Sequence, residues 1–414
     1  VLGDSAMYGK GGTLNEANVV VGMSALYSAS GAVGNVAVGH YAGNAMTTGD
    51  NNTLVGYGAG MALTDEAHNV FIGKNAGSAS AGTVQSVLIG ANAGKVSTGD
   101  NAVFIGYNAG AAWTSGDRQI GIGYQTLEAS TSGIYNLAIG GWALKTNTTG
   151  NYNMAIGDGA LQNNVHGDNN TAIGYNALYT LTPTDGGGAN TAVGMNAGRL
   201  ATTGTGNVFM GYNAAYNITD TVDNVIIGKL AGEDNNENYN VFIGSEAAMN
   251  ATSVASSVAI GRQAMGVGAA QGNDNVAIGY RSMYDLTTGV ENVAVGHFSL
   301  PNITTGYANV SVGRNSLNSN SLSSRNTAVG HSALQAFTET GEMGNVGIGY
   351  GAMNSVQTGS SNVAIGYYAL KGNNGVDSDY NVAIGSSALN NDNGGDSNVA
   401  IGYKAGFSNT TGTG

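Results

Sequence analysis

The chain has 414 residues, a formal charge of −13, only 9% charged side chains, 69 glycines, two prolines and no cysteine. The acidic balance argues against binding nucleic acid or an anionic membrane through a basic surface, and the lack of cysteine excludes disulfides and thiolate metal sites. No apolar run is long enough to span a membrane as a helix, and no signal peptide is visible.

Val1-Leu2-Gly3 reads as the tail of a repeat, and Val1 in place of an initiator Met reads as a processed form or a piece of a longer chain. A Gly-rich turn follows. From Asn18 onward one motif recurs, with versions such as Asn35-Val-Ala-Val-Gly-His-Tyr-Ala-Gly43 and Asn362-Val-Ala-Ile-Gly-Tyr-Tyr-Ala-Leu370. Its first residue recurs 23 times up to Asn398, most often at steps of 17 residues. A fixed short period over a whole chain is the mark of a solenoid. Residues 1–414 therefore read as one repetitive array with no separate domain. The coils beginning at 326 and 362 are longer than most, and their additional residues are expected in surface loops.

Numbering the positions of one repeat from 1 to 17, position 5 is glycine in all 23 copies. Glycine is needed where φ is positive or where backbones approach closely. Position 4 is Ile or Val except at Met210, and position 2 is mostly Val or Thr. These are strand-forming residues, and alternation places 2 and 4 on one face with 3 on the other. Position 1 is Asn in 19 copies. Two readings stand for it: a hydrogen-bonded amide ladder along the stack, or tolerance of a left-handed turn before the strand. Thr-Thr-Gly runs such as Thr47-Thr48-Gly49 and Thr304-Thr305-Gly306 read as turns.

Along the chain, the bulk at position 3 trades against the bulk at position 9. Leu54 goes with Gly60, Phe71 with Gly77, Leu88 with Gly94 and Phe104 with Gly110. From Gln119 to Leu178 the pattern inverts, as in Ala138 with Leu144 and Ala172 with Leu178. The large form returns at Phe209, Ile226 and Phe242, and Leu or Met at position 9 dominates from Ser257 to Leu389. Dense interiors punish voids and overfilling alike, so the two positions are expected to fill one volume. Exceptions exist, such as Ala37 with Gly43 and Ala400 with Gly406.

These patterns predict an all-β fold: an elongated β-solenoid of about 23 coils, each a two-stranded β-roll of ~17 residues. At about 4.8 Å per coil the array would be roughly 110 Å long. A strand apolar on both faces is buried on both faces. One face lines the coil's own core, and the other predicts a second copy of the chain, as a parallel homo-oligomer, most simply a homotrimer.

The Asn170-Thr-Ala-Ile-Gly-Tyr-Asn-Ala-Leu178 unit resembles the repeat arrays of phage tail-fibre-type proteins. It is also similar to the head repeats of trimeric autotransporter adhesins. The resemblance covers essentially the whole chain and implies a trimeric left-handed β-roll on a virion or cell surface. Two departures accompany it. The period is longer than that of the adhesin heads, and the self-cleaving chaperone domain that often follows such fibre arrays is not within these residues.

For chemistry, His40, His297 and His331 fall at position 6, while His68 and His166 fall in turns, and no metal-binding His pair occurs. Acidic turns at Glu233–Glu237, Asp377–Asp379 and Asp392–Asp396 supply oxygen ligands of the kind Ca²⁺ takes, but read by default as solvated turns without a cofactor. No catalytic or metal residue is singled out. Position 6 is tyrosine at Tyr57, Tyr107, Tyr124, Tyr175, Tyr212, Tyr280, Tyr350, Tyr367 and Tyr403. This column either docks a cell-surface glycan or receptor by stacking or merely covers the coil edge. The leading expectation is a non-enzymatic extracellular fibre or adhesive shaft. A self-polymerising filament or sheath protein stacking end to end, and a glycan-degrading solenoid enzyme, are the rivals. The expected partners are copies of itself, with neither nucleic acid nor membrane insertion.

Overall fold

The computed structural model describes residues 2–8, 17–183, 187–266, 268–372 and 378–409, and the chain divides into two compact units, 1–207 and 208–414. Each unit is a parallel β-solenoid. The first holds eleven three-residue strands, from Val19–Val21 to Thr191–Val193. The second holds twelve, from Val208–Met210 to Val399–Ile401, plus the two-residue strands Ser323–Ser324 and Gly341–Glu342. Each three-residue strand is positions 2, 3 and 4 of a coil, the β-branched run. Pairing is parallel and in register, position on position: Val36 opposite Thr53, Ala37 opposite Leu54, and in the second unit Val225 opposite Val241.

Within each three-residue strand the middle residue is buried and its two neighbours are half-exposed or exposed, as the alternation requires. The core of each coil is position 3 together with positions 8, 9 and 12. Ala138, Ala143 and Leu144 are fully buried in one coil, and Phe104, Ala109 and Trp113 in another. The shared volume of positions 3 and 9 is real. A Cβ on Gly60 would lie 2.8 Å from a Leu54 methyl, and one on Gly110 2.5 Å from the Phe104 ring. Two of the exceptions resolve in the same terms. The space beside Gly43 is taken by Leu26 and Leu54 from the flanking coils, and that beside Gly406 by Leu389.

Among the described residues the second strand expected in each coil forms only as the short pair Ser323–Ser324 and Gly341–Glu342; elsewhere a ladder of turns replaces it. The cause is backbone handedness. Positions 7 and 9 both take positive φ, as at Tyr41 (61°), Asn75 (58°), Leu144 (49°) and Leu178 (49°), so no three consecutive residues there are extended. Coil-to-coil backbone bonds continue regardless. The Leu26 N–H reaches the Ala42 carbonyl at 2.9 Å, and the Tyr41 N–H reaches the Met23 carbonyl at 3.1 Å. The position 5 glycines turn the corner after the strand. Gly244 has φ +135°, and a Cβ there would sit 2.6 Å from the carbonyl oxygen of Gly261 in the next coil. The long coil beginning at 326 also differs from expectation. Part of its insertion, Gly341–Glu342, adds a strand to Ser323–Ser324 of the coil before. Residues 373–377 of the coil beginning at 362 lie outside the described residues.

Candidate functional surface

The asparagines of position 1 form the amide ladder, and they are not themselves left-handed; the residue before each one is, as at Asn51 and Asn169. The Oδ1 of Asn35 accepts the Asn52 N–H at 2.8 Å, and its Nδ2 donates to the carbonyl of Gly49 at 2.8 Å. In the second unit Asn309 does the same, accepting from the Asn326 N–H at 3.0 Å and donating to the Ser323 carbonyl at 2.9 Å. Each amide thus ties one coil to the next and clamps the corner of its own. Ser86 and Ser257 substitute a hydroxyl acceptor, taking the N–H of Ala102 and Asn275.

A second rail runs beside it. Two residues before position 1, an Asp or Asn side chain often accepts a backbone N–H from the preceding coil: Asp50 from Val33, Asp100 from Val84, Asp379 from Ser360 and Asp396 from Asp379. A third rail is threonine at position 13, whose Oγ1 donates to the corresponding carbonyl of the next coil, as from Thr131 to Thr148 at 3.1 Å.

This occupies the acidic turns considered for calcium. Asp234 accepts from Asn217 Nδ2 at 2.6 Å and Glu237 from Ser253 Oγ at 3.1 Å. Asp392 sits at core position 12, fully buried, accepting from Ser378 Oγ at 2.7 Å and from the Gly395 N–H at 3.3 Å. Burial pushes the Asp392 carboxyl above the ordinary carboxylate range, and it does the same to Glu233, with Asp234 adding to it. Asp377 lies outside the described residues. Among the described residues no three His, Asp or Glu side chains come together as metal ligands, and no helix is long and apolar enough to cross a membrane. One concavity is bounded by Tyr8, Tyr27, Ser28 and Ser30, with no carboxylate or imidazole in its wall.

The position 6 tyrosines stand at the surface. Tyr57, Tyr107, Tyr124, Tyr175, Tyr212, Tyr350, Tyr367 and Tyr403 are exposed and Tyr280 is half-buried. Adjacent members meet face to face: Tyr107 on Tyr124 at 5.4 Å with planes 13° apart, and Tyr350 on Tyr367 at 5.5 Å and 19°. His331 stacks on the other face of Tyr350 at 5.1 Å. Tyr57 meets His40 edge-on at 5.3 Å. Tyr175 and Tyr212 make no ring contact among the described residues, and Tyr403 lies under the Lys404 ammonium at 5.2 Å. Where faces are taken in this way, a sugar ring has only the phenol edges to meet.

Two features of this surface were missed in the sequence reading. A second aromatic column lies at position 17, where Tyr135 stacks on Tyr152 at 5.2 Å beneath the Arg118 guanidinium. Position 7 adds Trp142, which meets the edge of Tyr124 and donates its indole N–H to Gln125 Oε1 at 2.9 Å. Periodicity at positions 7 and 17 would have exposed both. The outward strand face is a further surface. Positions 2 and 4 are half-open on the isolated chain, with Ile72 36%, Met154 37% and Ile365 37% exposed.

Neither a protein-family model nor a curated protein matches the chain.

Proposed function

We propose that this protein is a non-enzymatic structural fibre, an extracellular or virion-surface shaft built as a parallel homo-oligomer, most simply a trimer. The observation that carries the proposal is the outward strand face. Coil after coil presents Val, Ile or Thr at positions 2 and 4, half-covered by its neighbours along the ladder and half in water. A second copy laid parallel to the first would close these columns, and each aliphatic side chain fully removed from water contributes about 1.5–3 kcal/mol. The rails of amides, carboxylates and threonines are spent on holding coil to coil, as a load-carrying element requires. The resemblance to tail-fibre and adhesin arrays supports the same reading.

Negative-stain electron microscopy of the purified chain tests it. Particles of one uniform length support a shaft. Filaments that lengthen with protein concentration would overturn it in favour of a self-polymerising sheath. Turnover of a surface glycan by the same preparation would overturn the non-enzymatic assignment.

A further inference from the structure

The acidic chain places few acids along the surface column at positions 6 and 7, where only Asp158 and Glu246 occur among the 23 copies. At positions 6 and 7 of every coil from 257 to the end, no Asp or Glu occurs, although the chain holds 26 of them. Position 6 reads in succession Arg262, Tyr280, His297, Arg314, His331 and Tyr350. All are exposed except the half-buried Tyr280.

Two of the cations, Arg262 and Arg281, are held in place. The guanidinium of Arg262 lies 5.8 Å from the centre of the Tyr280 ring, and that of Arg281, at position 7, lies 5.3 Å from the same ring and 4.6 Å from that of Tyr284. Arg281 also donates from Nε to Gln263 Oε1 at 2.8 Å. Arginine laid on a ring gives up rotamer freedom in advance, so less is lost when a ligand arrives. Neither Arg262 nor Arg314 makes an ion pair among the described residues. Their charge is free for an external partner.

We propose that this strip binds an extended anionic polysaccharide, a uronic-acid polymer whose carboxylates meet Arg262 and Arg314 and whose hydroxyls meet the phenol and imidazole edges between them. Charge complementarity selects an anion. A single-stranded nucleic acid is disfavoured. Base stacking needs open ring faces, yet Tyr350 has His331 on one face and Tyr367 on the other.

The inference rests on the coil geometry of the second unit and not on the oligomeric proposal, so the mass of each sample is recorded alongside. The test is binding of the full chain to polygalacturonate at low salt, with dextran and an oligothymidylate as comparison probes. Saturable, salt-sensitive binding to polygalacturonate alone is expected. The Arg262→Ala/Arg314→Ala variant should weaken it by about tenfold, while Lys74→Ala in the first unit leaves it unchanged. Both arginines are exposed, so the double variant should keep the parent's circular dichroism. No binding to polygalacturonate, equal binding to dextran, undiminished binding by the double variant, or tighter binding to the oligothymidylate would each overturn the proposal.

Discussion

At the residue scale, each coil balances backbone strain against burial. A left-handed non-glycine residue costs about 1–2 kcal/mol, whereas burying a leucine contributes about 1.5–3 kcal/mol. Leu144, Leu161 and Leu178 accept the strain because only alanine stands at position 3 to fill the core. Where Phe104 fills it, Gly110 removes both the strain and the clash. Phe104→Ala is expected to destabilise its coil by about 3–5 kcal/mol through the cavity it leaves. Gly110→Leu alone is expected to cost about 2–4 kcal/mol through overpacking and strain. The double variant should cost less than the sum by about 2–3 kcal/mol, because the new leucine enters the vacated space. Hydrogen exchange at the amides of Val103–Ile105 measures all three. The asparagine ladder makes a sharper demand, since removing it orphans buried backbone groups. Asn309→Ala is expected to cost about 2–4 kcal/mol, and Asn309→Ser about half as much, because a hydroxyl keeps the acceptor as Ser257 does. Exchange at the Asn326 amide reads this difference directly.

At the element scale, the strand was legible and the rest of the coil only in part. Three β-branched or small residues before an invariant glycine left little alternative to a short strand, and the bulk exchange between Phe104 and Gly110 revealed which residues share a volume. Position 12 was illegible because its occupants run from Trp113 to Asn164 to Asp392, and no periodic hydrophobic signal survives that range. The polar members satisfy themselves locally: Asn164 donates to the Gly167 carbonyl at 3.0 Å and accepts its N–H at 3.1 Å. The missing second strand was hidden for a related reason. Tyrosine and leucine at positions 7 and 9 give no warning of positive φ, which only the closed coil imposes. The tyrosine column could be read as exposed, but whether its ring faces were open depended on the residue one coil away. Asp392 carries a testable consequence. Its carboxyl is held above the ordinary range, so the folded state favours the neutral form. The stability linked to it is therefore fully present below the ordinary carboxylate range and declines as pH rises through the raised value. Asp392→Asn should slow exchange in strand Val382–Ile384 at neutral pH. That advantage over the parent chain should shrink as pH falls through the carboxylate range.

At the scale of the whole molecule, the account depends on what covers the outward strand face. Parallel sheets are ordinarily covered on both faces. Here one face meets the coil's own core and the other is half in water on a single copy, with Ile120 38% and Met210 39% exposed. The basic and aromatic strip at position 6 is compatible with a shaft that also grips a polymer along its side. Native mass spectrometry and sedimentation of the chain in dilute buffer address the central claim most directly. The account predicts a stable multiple of the 41.4 kDa chain mass, most simply three, that dissociates only with loss of the β signal. A folded monomer that persists at every concentration, with the residues at positions 2 and 4 solvated, would contradict it.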